Sequence, residues 1–211
     1  MSTNTPFPSN KPGYIVSIDG LRALAVGLVV LFHAGFSDFS GGFIGVDVFF
    51  VISGFLITTN ILKEKETGTF SFTRFYQNRI ARLFPALFTV IFLTLLASFF
   101  ILPPDDLSRL GQAGLYSSIS VSNIFFWLES GYFDRASEAK PFLHTWSLSV
   151  EEQFYLIWPV LLTFFYMLGK RKSAFLGLTF LSVLSLASAI YLYPSKPDAV
   201  FFLTPFRVYQ F

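Results

Sequence analysis

Three ionisable residues interrupt an apolar run near the N-terminus that is otherwise long enough to cross a membrane. The run covers residues 15–36, and the three residues are Asp19, Arg22 and His33. Ionisable side chains at membrane depth are costly, so they normally face the interior of a helix bundle or a wet cavity and mark functional sites. The chain must therefore fold in a way that shields these groups, and His33 most needs a functional explanation.

Further runs along the chain reach the roughly 20 apolar residues that cross a bilayer as a helix. Of the 211 residues, 53% are hydrophobic and only 13% are charged, which is too apolar for a soluble domain of this length. The predicted fold class is all-α, a polytopic transmembrane helix bundle. We predict five full spans, at about 15–37, 43–62, 84–102, 147–168 and 173–193.

Basic residues in the short connections predict the orientation of the chain. The connection 63–83 holds five Lys and Arg residues, whereas the loop 37–42 holds none. The positive-inside rule places the first of these in the cytoplasm, and the N-terminus with it. Residues 1–13 are polar and predicted to be a disordered tail, and 14–211 are predicted to be the N-terminal part of a membrane domain that continues beyond this chain.

The segment 107–128 is about long enough to cross the membrane, yet it contains Arg109, Asn123 and several serines. A full crossing would put the basic cluster 170–172 outside. We therefore favour a re-entrant or tightly packed segment, which is tolerated where protein or a cavity shields it. The cluster 170–172 then lies at the same end as the connection 63–83.

The first span places its ionisable groups on a shared face. Arg22 and His33 are 11 residues apart, which brings them to nearly the same side of a helix, about 16 Å apart along its axis. Asp19 precedes Arg22 by three residues, the spacing of an ion pair. These two residues either serve function or simply neutralise each other near the interface.

The second span adds Asp47, which should lie at about the same depth as His33 across a short hairpin. A carboxylate facing an imidazole holds one tautomer and raises its basicity, which suits a general base. The alternative is a buried structural pair. Ser53 and Gly54, further along this span, are predicted to allow close helix approach rather than to act chemically.

Two arginines stand three residues apart just before the third span. Arg79 and Arg82 share one face of a helical turn, where two guanidiniums can bind phosphates. The more ordinary explanation is a positive flank that binds lipid headgroups.

The most unusual string is HTWSLSVEEQFYLIWP, residues 144–159. Ser149 and Glu152 fit a capping box, which would make Glu152 structural, whereas Glu151 has no such role. The aromatic residues of the string are either an interfacial belt or platforms on which sugar rings stack, and they are Trp146, Tyr155 and Trp158. The sequence contains no GxSxG, HExxH, Walker or GxGxxG motif, and its lack of cysteine excludes thiolate metal sites.

Five strings resemble, in order, the successive motifs of the acyltransferase family 3 membrane proteins. They are IDGLRALAVGLVVLFHAGF, GGFIGVDVFFVISGFLIT, RFYQNRIARLFPAL, HTWSLSVEEQFYLIWP and FFLTPFRVYQF. The family includes bacterial O-acetyltransferases that act on lipopolysaccharide O-antigen, peptidoglycan and other surface polysaccharides. The resemblance implies a bundle of helices that takes acetyl groups from cytoplasmic acetyl-CoA and delivers them to sugar hydroxyls outside.

The resemblance also implies roles for individual residues. His33 matches the catalytic histidine and Arg22 the first-helix arginine of the family, while Arg79 and Arg82 match the arginine pair on the acetyl-CoA side. The signature of members with an additional C-terminal SGNH-type domain is matched by His144, Trp146, Ser147, Glu151 and Glu152. Two positions depart from the pattern: Asn78 replaces a frequent arginine, and Gln210 a frequent acid.

The resemblance, together with the intramembrane charges, predicts a membrane O-acetyltransferase of the bacterial cytoplasmic membrane. The expected catalytic residues are His33, Asp47 and Glu151; the donor-binding residues are Arg22, Arg79 and Arg82; and the acceptor-side residues are His144, Trp146, Ser147, Glu152 and Tyr155. Acetyl-CoA is the expected donor, a polysaccharide or lipid-linked glycan the acceptor, and neither a metal nor nucleic acid is expected. The alternatives are a proton-coupled transporter that uses the same intramembrane charges and a non-enzymatic membrane scaffold.

Overall fold

The computed structural model describes residues 15–130 and 140–211, and the regular elements in these two ranges are all helical. This confirms the all-α class, while the predicted tail 1–13 lies outside the described residues. The α-helices are α1 Val16–His33, α2 Ile44–Glu66, α3 Phe72–Phe99, α4 Pro104–Ser118, α5 Ser122–Glu129, α6 Thr145–Leu192 and α7 Pro197–Phe202. Single 3₁₀ turns at Ser37–Phe39, Thr204–Phe206 and Val208–Gln210 complete the described elements.

Four stretches in the described ranges are long and apolar enough to cross a membrane, and they contain α1, α2, α3 and α6. The helical run α6 bends back on itself at Gly169 and Lys170, whose backbone angles are not helical. A Cβ atom on Gly177 would lie 2.5 Å from the Phe165 ring, although a straight helix would separate the two residues by about 18 Å. The bend divides α6 into two arms, 145–168 and 171–192, which match the predicted fourth and fifth spans.

The segment 107–128 does not form one continuous helix. It is divided between α4 and α5, which have 15 and 8 residues and are both too short to cross a bilayer alone. The break contains Ser120, whose φ of 60° lies in the left-handed region that residues other than glycine rarely adopt. Ser117, Ser122 and Asn123 are buried, so this is the packed polar segment that the sequence predicted.

Ion pairs connect α2 with α3 and α2 with α6 at the end of these helices where the basic residues lie. Arg74 near the start of α3 lies 3.0 Å from Glu64 of α2, and Arg171, just after the bend of α6, lies 3.5 Å from Glu66. The cluster 170–172 therefore lies at the same end as the connection between α2 and α3, as predicted from the charge distribution.

The chain divides into two compact units, residues 1–52 and 53–211, and α2 contributes to both. In the first unit α1 and the start of α2 approach closely at Gly45, because a Cβ atom there would lie 2.5 Å from the carbonyl oxygen of Ala25. Ala25 is completely buried by this approach. The core of the second unit is built from α2 and both arms of α6, with Ile57, Ile61, Phe154, Trp158, Leu162 and Ala174 as its central residues.

Candidate functional site

His33 is the last residue of α1, and its side chain is exposed. Its Nδ1 lies 2.8 Å from the carbonyl oxygen of Val29, one turn back in the same helix. Because a carbonyl oxygen can only accept, Nδ1 carries the proton in this bond, and the lone pair of the neutral ring is on Nε2. The accessible imidazole is thus held in the tautomer that a base or nucleophile requires.

His33 is oriented at least at one of its two ring nitrogens by its own helix, and its pairing with Asp47 stays a prediction. Asp47 is half-buried in the first turn of α2. The Val29 carbonyl, four residues before His33, occupies Nδ1. The backbone of α1 therefore contributes to the orientation of the imidazole.

The predicted ion pair in α1 is present. An Nη atom of Arg22 lies 3.2 Å from a carboxylate oxygen of Asp19, and both side chains are partly exposed. Arg22 therefore has an anionic partner within its own helix. This geometry fits mutual neutralisation and leaves the donor-binding role of Arg22 as a prediction.

Glu151 is the centre of a polar cluster that connects three helices. Its Oε1 accepts hydrogen bonds from the hydroxyl groups of Ser53 on α2 and Tyr155 on α6, and these two hydroxyls lie 3.2 Å apart. The guanidinium of Arg79 on α3 lies 5.0 Å from the centre of the Tyr155 ring. The structure thus joins a predicted donor-side residue to predicted catalytic and acceptor-side residues.

Ser53 was missed as a site residue. Its hydroxyl donates to Glu151, a contact that the prediction of close helix approach did not include. Its neighbour Gly54 does pack closely, against the backbone of Phe211. A single hydroxyl within the apolar string VISGFLI was the available signal for Ser53.

Glu152 and Gln153 contact other elements than Glu151 does. Glu152 Oε2 accepts from the hydroxyl of Ser120, whereas its buried Oε1 has no hydrogen-bond partner among the described residues. The amide of Gln153 donates to Asn123 at 2.8 Å and to the Ser120 carbonyl at 2.9 Å, and its oxygen accepts from Thr204. Three consecutive polar residues of α6 therefore bind α2, the α4–α5 break, α5 and the 3₁₀ turn that begins at Thr204.

The predicted capping box is not formed. Because α6 begins at Thr145, Ser149 lies inside the helix rather than at its start. Its hydroxyl instead lies 2.8 Å from that of Ser122 and accepts from the Ser122 backbone N–H at 3.1 Å. Thr145 extends this contact by bonding Ser122 at 2.9 Å and Ser117 at 2.8 Å, which makes a chain of four buried hydroxyls between α4, α5 and α6.

The aromatic residues of the 144–159 string are buried. Trp146, Tyr155 and Trp158 are only 9%, 7% and 4% exposed, so they form neither an interfacial belt nor an open sugar platform. Trp146 packs instead against Phe201 and beneath the buried guanidinium of Arg207, which lies 4.9 Å from each ring. No role was predicted for Arg207 from the sequence. Its neighbour Gln210, at a position where the family often has an acid, accepts a 3.0 Å hydrogen bond from it.

The remaining predicted residues lie at exposed positions or helix ends. His144 is the residue before α6, and its carbonyl accepts a 3.1 Å hydrogen bond from the exposed hydroxyl of Ser147. Arg82 is exposed on α3, in contrast to the half-buried Arg79. Arg82 is therefore exposed, whereas Tyr155, another residue of the predicted site, is buried.

Comparison with known proteins identifies similar sequences. A family model described as an acyltransferase domain matches residues 15–210. The chain is 39% identical over 203 residues to the peptidoglycan O-acetyltransferase OatA of Listeria monocytogenes, covering 93% of this chain and 32% of that protein. It is 44% identical over 154 residues to a Komagataeibacter xylinus protein named "Putative membrane-bound transacylase BcsY", covering 73% of this chain and 38% of that protein. The chain thus spans about a third of the length of these curated relatives. No solved structure matches it.

Proposed function

Because the chain belongs to acyltransferase family 3, we propose that it serves an O-acetyltransferase that moves acetyl groups from cytoplasmic acetyl-CoA to hydroxyls of an extracytoplasmic polysaccharide. The relative OatA bears the name of a peptidoglycan O-acetyltransferase, which makes peptidoglycan the first acceptor to test. The observation that carries the chemistry is the exposed His33 with its Nδ1 committed to Val29.

The Nε2 lone pair of His33 supports two routes. In the first, Nε2 takes the proton of the acceptor hydroxyl while its oxygen attacks the thioester carbonyl, the C–S bond breaks, and the coenzyme A thiolate leaves and takes up a proton. In the second, Nε2 itself attacks the carbonyl and the thiolate leaves. The oxygen of the acceptor hydroxyl then attacks the acylated imidazole, the N–C bond breaks, and the hydroxyl proton is released and neutralises the thiolate. Asp47 is proposed to act near the same step, as its place early in α2 suggests.

Glu151 is proposed to act within the second unit as an acid whose position is fixed by its hydrogen bonds. The hydroxyls of Ser53 and Tyr155 already hold its Oε1, so the carboxylate is oriented before substrate arrives.

The two ends of the first arm of α6 fit the two substrates. The arm 145–168 is about 36 Å long at 1.5 Å per residue, enough to cross a bilayer. Lys170, Arg171 and Lys172 follow one end, which we assign to the cytoplasm and to the anionic acetyl-CoA. His144 and Ser147 lie at the other end, where the glycan would bind. We therefore propose that the protein lies in a bacterial cytoplasmic membrane with a cytoplasmic N-terminus.

The test uses the natural full-length protein in vesicles, with radiolabelled acetyl-CoA on one side and a peptidoglycan fragment on the other. We expect label on the fragment with the natural protein and with the exposed control Ser37→Ala, and none with His33→Ala. Equal labelling by His33→Ala would refute the role of this histidine. Movement of protons or saccharide that continues without acetyl-CoA would instead support a transporter.

A further inference from the structure

We propose that the two arginines of α3 divide their work: Arg82 binds the phosphates of acetyl-CoA, whereas Arg79 is a positioning residue for Tyr155 and Glu151. This division rests on the proposed function. It replaces the prediction that both arginines bind the donor together.

Arg79 is directed into the protein. It is half-buried, and its guanidinium lies 5.0 Å from the Tyr155 ring centre and 5.5 Å from that of Phe75. Guanidinium groups that lie over aromatic rings are held by the quadrupole of the ring, and more strongly where water is excluded. Tyr155 is 7% exposed, so this contact is largely dry.

The contact with Tyr155 connects Arg79 to the carboxylate. The Tyr155 hydroxyl donates to Glu151, so fixing the ring also fixes the direction of that hydrogen bond. A guanidinium that turned away to bind phosphate would leave the Tyr155 ring and remove positive charge from the surroundings of Glu151. In an apolar environment that loss is expensive.

Arg82 has a different environment on the same helix. Three residues further on, its side chain is rotated by about 60° from that of Arg79. It is exposed, and the described part of the chain shows no ion pair to it. A guanidinium in this position can form two parallel hydrogen bonds to a phosphate.

The test measures KM for acetyl-CoA and kcat of acetyl transfer in the natural full-length protein. Arg82→Gln should raise KM about tenfold or more with kcat nearly unchanged, since a lost charge-assisted hydrogen bond is worth about one such factor. Arg79→Lys should lower kcat and leave KM within about threefold. Arg74→Gln is the control for general loss of positive charge, because Arg74 is already engaged by Glu64 and the Thr69 carbonyl.

A double-mutant cycle separates positioning from a general structural effect. If Arg79 acts through Tyr155, then Arg79→Lys and Tyr155→Phe together should lower kcat little more than either alone. Should Arg79→Lys fail to fold, Tyr155→Phe alone must still lower kcat without raising KM. The division is overturned if Arg79→Lys or Tyr155→Phe raises KM as much as Arg82→Gln does. A natural protein that transfers no acetyl group would overturn the proposed function as well, whereas an active one with the wrong KM pattern overturns only the division.

Discussion

His33 and Glu151 are held in contrasting ways. His33 is exposed at the end of α1, with one hydrogen bond to its own helix backbone and an edge contact to its neighbour Phe32. Glu151 binds hydroxyl groups from two helices and belongs to a segment whose next two residues contact three further elements. Reactivity and architecture are therefore predicted to lie in different regions: the accessible imidazole is the predicted base or nucleophile, whereas Glu151 is held by hydrogen bonds within the second unit.

The largest effect on stability should distinguish these two regions directly. Glu151→Ala removes the acceptor of two hydroxyls, one of them on the buried Tyr155, so we expect the free energy of unfolding to fall by about 3 kcal/mol. His33→Ala removes only an exposed local bond and should change it by at most about 0.5 kcal/mol. Thermal unfolding of the purified variants measures both. A His33→Ala protein that melts as early as Glu151→Ala would show that the imidazole is also structural.

The second largest effect is expected where α1 and α2 approach each other at Gly45 in the first unit. Gly45→Val would force side-chain atoms against the Ala25 carbonyl and the Val29 side chain, and should destabilise the protein by about 2 kcal/mol. Gly27→Ala is the matched control, because nothing lies within 4 Å of the added carbon and alanine favours the helix by about 1 kcal/mol. If Gly45→Val melts like the natural protein, the helices of the first unit do not depend on this contact.

A smaller effect is expected in the buried hydroxyl chain. Ser149→Ala removes its bonds to Ser122, and polar contacts between membrane helices are worth about 1 kcal/mol each. Ser188→Ala, which loses only a bond to the Leu184 carbonyl of its own helix at an exposed position, should have a negligible effect. A negligible change for Ser149→Ala as well would mean that apolar packing alone joins α5 to α6.

The sequence predicted the spans well because apolar length is a local property. All five predicted spans correspond to helices or arms, and the basic cluster 170–172 lies at the end that the charge distribution indicated. Even the packed segment 107–128 was indicated by its polar composition. These features depend on whether each segment lies in lipid or in water, and not on the details of packing.

The hydrogen-bond partners could not be predicted from the same information. The capping box failed because α6 begins earlier than the Ser149–Glu152 pattern implies, and the position of a helix start depends on tertiary contacts. The bond between His33 Nδ1 and the Val29 carbonyl was not predicted, because the depth argument compared His33 only with Asp47. Ser53 and Arg207 became visible only when their partners on other helices were known.

The smallest effect concerns the ion pair of α1, where the choice between neutralisation and donor binding is still open. The pair is partly exposed, so Asp19→Asn should lower the free energy of unfolding by only about 0.5 kcal/mol. If Arg22 merely neutralises Asp19, then Asp19→Asn combined with Arg22→Gln should restore both stability and KM for acetyl-CoA, because no charge is left unpaired. If Arg22 binds the donor, KM stays raised in the double variant although stability recovers. A raised KM at unchanged stability is the result that a residue which binds the donor would produce. It would show that α1 contributes a contact to acetyl-CoA through Arg22.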